Sequence, residues 1–204
     1  MIEIAREGGC ATLRLNRPDK ANALTPEMLQ ALIDGVLAHR DAPVLILTGA
    51  GRVFSAGADL AAAQAGLATS PLWEQLSGAI AGFAGLTIAA LNGTAAGGAL
   101  GMILACDLRV AVPGAVFFYP VMRLGFLPQP SDATRLRAVI GPARAKMMLM
   151  GGARFSAEQA LTFGLVDLLA EDAMAAARAL AADALAAKPA QVAAIKAMIP
   201  EAVR

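Results

Sequence analysis

Two glycine-bearing turns are the parts of this chain best suited to chemistry, because each follows a short apolar run and can aim backbone N–H groups outward. The first, Phe54-Ser55-Ala56-Gly57-Ala58-Asp59, comes after Val44 to Thr48; the second, Asn92-Gly93-Thr94-Ala95-Ala96-Gly97-Gly98, comes after Leu86 to Leu91. Glycine lets the main chain turn sharply and lets a ligand approach it, and a helix starting at Gly98 would add the positive end of its dipole. Two such donors converging on one oxygen form an oxyanion hole, worth roughly 3–4 kcal/mol per donor when the dipoles are already oriented. Taken singly, each turn is also ordinary punctuation after a strand. Other glycine motifs fail on their residues. Gly93 to Gly98 has phosphate-loop spacing, but Ala99 stands where the lysine belongs. Ser55 and Gly57 make half of a nucleophile elbow, yet Val53 replaces the first glycine, and the one histidine, His39, falls near a helix end that favours a solvated cation.

The elements that must position these turns follow from periodicity. Thr12 to Leu15 alternates as a strand does and breaks at Asn16-Arg17-Pro18-Asp19. Thr25 caps a predicted helix with Pro26 in its first turn, and Met28, Leu29, Leu32, Ile33, Val36 and Leu37 form its apolar face. Val44 to Thr48 and Leu86 to Leu91 are continuous apolar runs, expected of strands covered on both sides in a parallel sheet. Helices are expected over 71–83, 97–106, 131–140, 142–150, 156–163, 172–187 and 190–199. Two short strands are expected over 108–112 and 116–119, then a loop carrying Pro120, Pro128 and Pro130. The alternation predicts an α/β fold with a largely parallel sheet. One domain over 1–204 is expected, with a core to about residue 170 and C-terminal helices beyond it.

Composition narrows the function classes. Hydrophobic residues make up 57% of the 204, enough for a core that excludes water from a site, and a net charge of +1 without a basic block argues against nucleic acid. Cys10 and Cys106 are distant and outside any metal-ligand spacing, so neither a disulfide framework nor structural zinc is expected, and a reducing cytoplasm fits. No signal-peptide layout opens the chain. The uncharged stretch between Glu74 and Asp107 exceeds the ~20 residues of a membrane helix. Its central Asn92, Gly93, Gly97 and Gly98 would leave backbone groups unsatisfied in lipid, so a buried helix, strand and turn is the better reading.

The combination of motifs is specific. Leu15-Asn16-Arg17-Pro18-Asp19-Lys20-Ala21-Asn22-Ala23-Leu24 is followed by Leu47-Thr48-Gly49 with Phe54 to Leu60, then by Asn92-Gly93 through Gly97-Gly98 to Cys106-Asp107. In that order, continued by Leu124-Gly125, Arg135-Leu136 and Phe155-Ser156-Ala157-Glu158-Gln159-Ala160 to Asp167, the chain resembles the crotonase superfamily of enoyl-CoA hydratases and isomerases over nearly its whole length. The resemblance implies a spiral of ββα repeats, assembly as trimers or hexamers, and an acyl-CoA thioester as ligand, with coenzyme A part of the substrate rather than a resident cofactor. By position it implies that the amides of Ala58 and Gly98 hold the thioester oxygen. Carbonyls around Ala56 and Ala58 would meet the adenine, and Lys20 a phosphate.

The same alignment marks two departures. The two glutamates that hold water in the hydratases fall on Gly101 and Val121, neither of which can move a proton, and an acid found elsewhere in the superfamily falls near Gln129. Asp132 and Tyr119 are the nearby candidates for proton carriers, against which stand an acid stabilised by a helix dipole and a half-buried aromatic with its hydroxyl at the rim. The chain also stops where relatives continue through further helices, so a covering lid is expected to be short. Two functions follow: an enzyme stabilising a thioester enolate, or an inert acyl-CoA-binding or assembly subunit.

Overall fold

A computed structural model describes residues 1–199. Its chain opens with a hairpin, β1 (Ile2–Glu7) and β2 (Cys10–Leu15), turned by Gly8 and Gly9, whose φ values of 55° and 86° suit glycine. The first of these strands is a largely exposed edge and carries no apolar alternation, so only its Gly-Gly turn announces it. Helix α1 (Pro26–Ala38) begins as expected, with the Thr25 side chain accepting from the Met28 N–H and a buried face from Met28 to Val36.

Three successive units then repeat one plan. β3 (Val44–Gly49) and β4 (Val53–Ser55) lead to α2 (Leu60–Gln64) and α3 (Leu72–Ala81); β5 (Leu86–Leu91) and β6 (Thr94–Ala96) lead to α4 (Ala99–Leu104). β7 (Leu108–Ala111) and β8 (Val116–Phe118) lead to α5 (Val121–Leu124) and α6 (Pro130–Leu149). The chain closes with β9 (Phe155–Ser156), α7 (Ala157–Phe163), β10 (Leu168–Leu169), α8 (Ala173–Leu180), α9 (Ala182–Ala186) and α10 (Pro189–Met198). The first strand of each unit joins a six-stranded sheet ordered β1-β2-β3-β5-β7-β10, and the second joins a four-stranded sheet ordered β4-β6-β8-β9. β3, β5 and β7 run parallel, as do β4, β6 and β8. This is the expected ββα spiral.

The apolar runs are continuous because both faces of the large sheet are covered. Leu45, Leu47, Ala89 and Leu91 face the main core with α1, α3 and α4, while Val44, Ile46, Ile88, Ala90 and Val110 face Ala173, Ala177 and Ala181 of the C-terminal segment. Lys196 of α10 is tied to the same side through Asp107 at 2.8 Å and the Gly85 carbonyl at 3.0 Å.

Several boundaries differ from expectation. The segment read as one helix over 172–187 is two short helices, and the loop expected after Tyr119 contains α5, with Pro130 serving as the first residue of α6. The helix after Gly98 has only six residues, so its dipole is small. α6 breaks at Gly141, whose φ of 78° separates the two helices read over 131–140 and 142–150. Among the described residues no helix is long and apolar enough to cross a membrane, and the uncharged stretch becomes α3, β5, β6 and α4.

Candidate active site

The two glycine turns leave neighbouring strands. Val53 pairs with Thr94 and Ser55 with Ala95, so β4 carries one extra residue, a bulge of the kind that re-aims a chain. Gly57, at φ 92°, crosses the Ala96–Gly97 backbone so closely that a Cβ would lie 2.8 Å from the Ala96 oxygen and 3.4 Å from the Gly97 Cα. Only glycine fits there, on conformation and on space.

Around the first bend nearly every amide is used. Ala56 donates to the Ala21 carbonyl at 2.9 Å, Gly57 to the Ser55 Oγ at 3.2 Å and Asp59 to the Leu24 carbonyl at 2.8 Å. The Ala58 N–H has no partner among the described residues, and neither have the Ala56 and Ala58 carbonyls. The loop before the bend is braced by two side-chain amides, Asn22 donating to the Ala50 and Val53 carbonyls and Asn92 to those of Gly51 and Val53. Arg17 meets Asp59 at 2.8 Å, and this half-buried pair, with the α2 cap, holds the Asp59 carboxylate below its usual range.

At the second bend Gly97 donates to the Phe118 carbonyl at 3.0 Å, whereas the Gly98 N–H has no partner among the described residues. Trp73 of α3 lies against Gly98, where a Cβ would stand 3.0 Å from three ring atoms, and its Nε1–H is anchored on the Leu67 carbonyl at 2.8 Å. Trp73 was not singled out in the sequence, since an aromatic inside a helical apolar pattern reads as core.

One turn beyond Gly98 the carboxyl of Asp132 fills the space that a side chain at Gly101 would take, its Oδ1 lying 2.5 Å from where a Cβ would be. Asp132 is 2% exposed and Tyr119 6%, and the Tyr119 hydroxyl donates to the Asp132 Oδ2 at 2.9 Å. Asp132 stands in the first turn of its helix as expected, and the rim hydroxyl is corrected: the helix buries one face of that turn against α4, and the Tyr119–Asp132 pair is inside. The Asp132 Oδ1 is covered and has no hydrogen-bond partner among the described residues. Burial pushes the Asp132 carboxyl up to about 7, with Tyr119 hydrogen bonding pulling it down and the nearby Glu74 charge pushing it further up. Burial, then the Asp132 charge, drives the Tyr119 phenol far above its ordinary value, so it stays a donor.

The remaining positions are dispersed. Lys20 is exposed at the end of a short 3-10 turn after Arg17, Val121 is buried at the start of α5, and Gln129 precedes α6. Among the described residues no group of three or more His, Cys, Asp or Glu side chains could hold a metal. Of the two concavities described, one of about 210 Å³ is lined by Cys10 and Arg178, and one of about 90 Å³ is lined by Arg123 and Arg154 together with Phe118, whose carbonyl holds the Gly97 amide. The candidate site is therefore the two bends with the Asp132–Tyr119 pair beside them.

Comparison with known proteins agrees with this architecture. The Enoyl-CoA hydratase/isomerase family profile matches residues 5–204. The chain is 38% identical over 186 residues to the "Probable enoyl-CoA hydratase echA14" of Mycobacterium tuberculosis, covering 87% of this chain and 72% of that one. It is likewise 38% identical over 210 residues to a carnitinyl-CoA dehydratase of Salmonella enteritidis, covering 96% and 78%. Among solved structures, Pseudomonas aeruginosa DspI superposes with a TM-score of 0.88 at 32% identity, covering 97% of this chain and 85% of that one. The protein belongs to the enoyl-CoA hydratase/isomerase family of the crotonase superfamily.

Proposed function

We propose that this protein is an acyl-CoA enzyme in which the Ala58 and Gly98 amides hold the thioester oxygen while Asp132 moves the proton. The observation that carries the reading is the pair of amides without internal partners, on bends that touch through Gly57 and Gly97. Removing a proton next to a thioester puts negative charge on that oxygen, and donors fixed by the fold stabilise it without reorganising. A carboxyl pushed up to about 7 can both give and take a proton near neutral pH. Tyr119 occupies Oδ2, which leaves Oδ1 as the oxygen that carries the proton.

Gly101 and Val121 bear no titratable group. One carboxyl can remove a proton from one carbon and return it to another, whereas adding water calls for a second group to activate it. The reading therefore favours double-bond migration over hydration. Coenzyme A enters as part of the substrate, with Lys20 reaching a phosphate and the carbonyls of Ala56 and Ala58 meeting the adenine. The working unit is a cytoplasmic trimer or hexamer.

Purified protein mixed with short and medium enoyl-CoA thioesters, followed by absorbance for conjugation and by product analysis for double-bond position, tests this. Migration is expected, with Asp132→Asn lowering turnover about 10²- to 10⁴-fold while thioester binding persists. Saturable binding with no turnover would favour the inert acyl-CoA-binding subunit, and no saturable binding would overturn both.

A further inference from the structure

Helix α3 brings two consecutive residues to the site, and the second has no role in the scheme above. Glu74 follows Trp73, and its Oε1 accepts from the Ser131 N–H at 3.0 Å and from the Ser131 Oγ–H at 2.9 Å. Ser131 sits in the first turn of α6, directly before Asp132. That turn lacks a local cap: Gln129 makes no side-chain bond to it, and Pro130 has no N–H to satisfy. The carboxylate that caps the helix therefore comes from another element, with Ser77 Oγ of α3 a further 3.3 Å contact to Ser131 Oγ.

We propose that Glu74 is a positioning residue of this site, which by capping α6 through Ser131 fixes where Asp132 enters the space beside Gly101. The groups facing Asp132 are few. Tyr119 approaches from the segment after β8, Gly101 from α4, Arg135 from its own helix and Glu74 from α3, so Glu74 is the acidic charge among them. Its position also makes ionisation of Asp132 less favourable, while Arg135 acts the other way. One side chain thus sets both the place and the protonation of the proposed proton carrier.

The activity arm of the test rests on the reading of Asp132 as proton carrier; the other two arms do not. Glu74→Gln keeps an acceptor oxygen and removes the charge, whereas Glu74→Ala removes both. The Asp132 carboxyl is followed by infrared difference spectroscopy against Asp132→Asn across pH, and the Ser131 amide by hydrogen exchange, neither needing a substrate. Glu74→Gln is expected to move the Asp132 titration to lower pH with the Ser131 amide still protected. Glu74→Ala is expected to lose that protection and to lower turnover about 10-fold or more, chiefly in kcat. An Asp132 titration unmoved in Glu74→Gln together with a protected Ser131 amide in Glu74→Ala would overturn the proposal. If Asp132→Asn turns over normally while both substrate-free readouts move as expected, the acid–base reading fails and the positioning role of Glu74 stands.

Discussion

The bend from Ala56 to Asp59 and the bend at Gly97 and Gly98 are both held by hydrogen bonds, but the first adds an ion-pair clamp and the second rests against an aromatic ring. In the first, the amides of Ala56, Gly57 and Asp59 are each tied to a separate partner, and Arg17 clamps the far side. In the second, the Gly97 amide is tied to Phe118, the Gly97 and Gly98 carbonyls accept from Leu100 and Gly101 of the helix that follows, and an indole ring lies against Gly98. The first bend is thus tied to residues distant in sequence on several sides, whereas the second leans on the start of its own helix, on Phe118 and on one ring. The acid is held by fewer contacts, since among the described residues the Asp132 carboxyl has one hydrogen-bond partner, Tyr119, and a close steric partner in Gly101.

The sharpest way to break the comparison is to remove the ring. Trp73→Ala should cost about 3–5 kcal/mol in urea unfolding followed by circular dichroism, because a buried aromatic leaves a cavity that its surroundings fill only in part. At the first bend the vulnerable point is the crossing rather than a hydrogen bond. Gly57→Ala should cost about 2–4 kcal/mol by the same measurement, combining an unfavourable positive φ with overpacking against Ala96. Loss as small as an ordinary surface change would mean that the two bends do not touch as described.

The third effect concerns the acid and is resolved by pH. An aspartate raised to about 7 binds its proton more tightly in the folded than in the unfolded chain, where its value is near 3.9. The stability it contributes is therefore full below about pH 4 and is lost as pH rises through about 7. Asp132→Asn removes this dependence, so relative to the parent its stability should improve between pH 4 and pH 8, by on the order of 4 kcal/mol. A difference that stays constant across this range would mean that the carboxyl is solvated.

Much of this was legible in the sequence. Continuous apolar runs at Val44 to Thr48 and Leu86 to Leu91 announced strands covered on both faces, and the Thr25-Pro26 start placed α1 to the residue. Both bends stood out because they recur together, each with glycine after a buried run, although either one alone is ordinary punctuation. Of the four-stranded sheet only β8 was expected, because the other strands have two or three residues each and no measurable period. Burial of Asp132 was hidden for another reason: an acid near the start of a helix reads as solvated unless the small residue on the facing helix is known to be its partner. Glu74 gave no local signal, since its partner Ser131 is 57 positions away.

One consequence lies in how the two strands before the bends are spaced. Ser55 pairs with Ala95, and Ala58 and Gly98 each stand three residues past that pair. The separation of the two amides is thereby inherited from the ladder between β4 and β6, where chains lie about 4.8 Å apart whatever side chains they carry. A ruler made of main chain leaves the surrounding side chains free to change while the spacing that the proposed oxygen site calls for is kept.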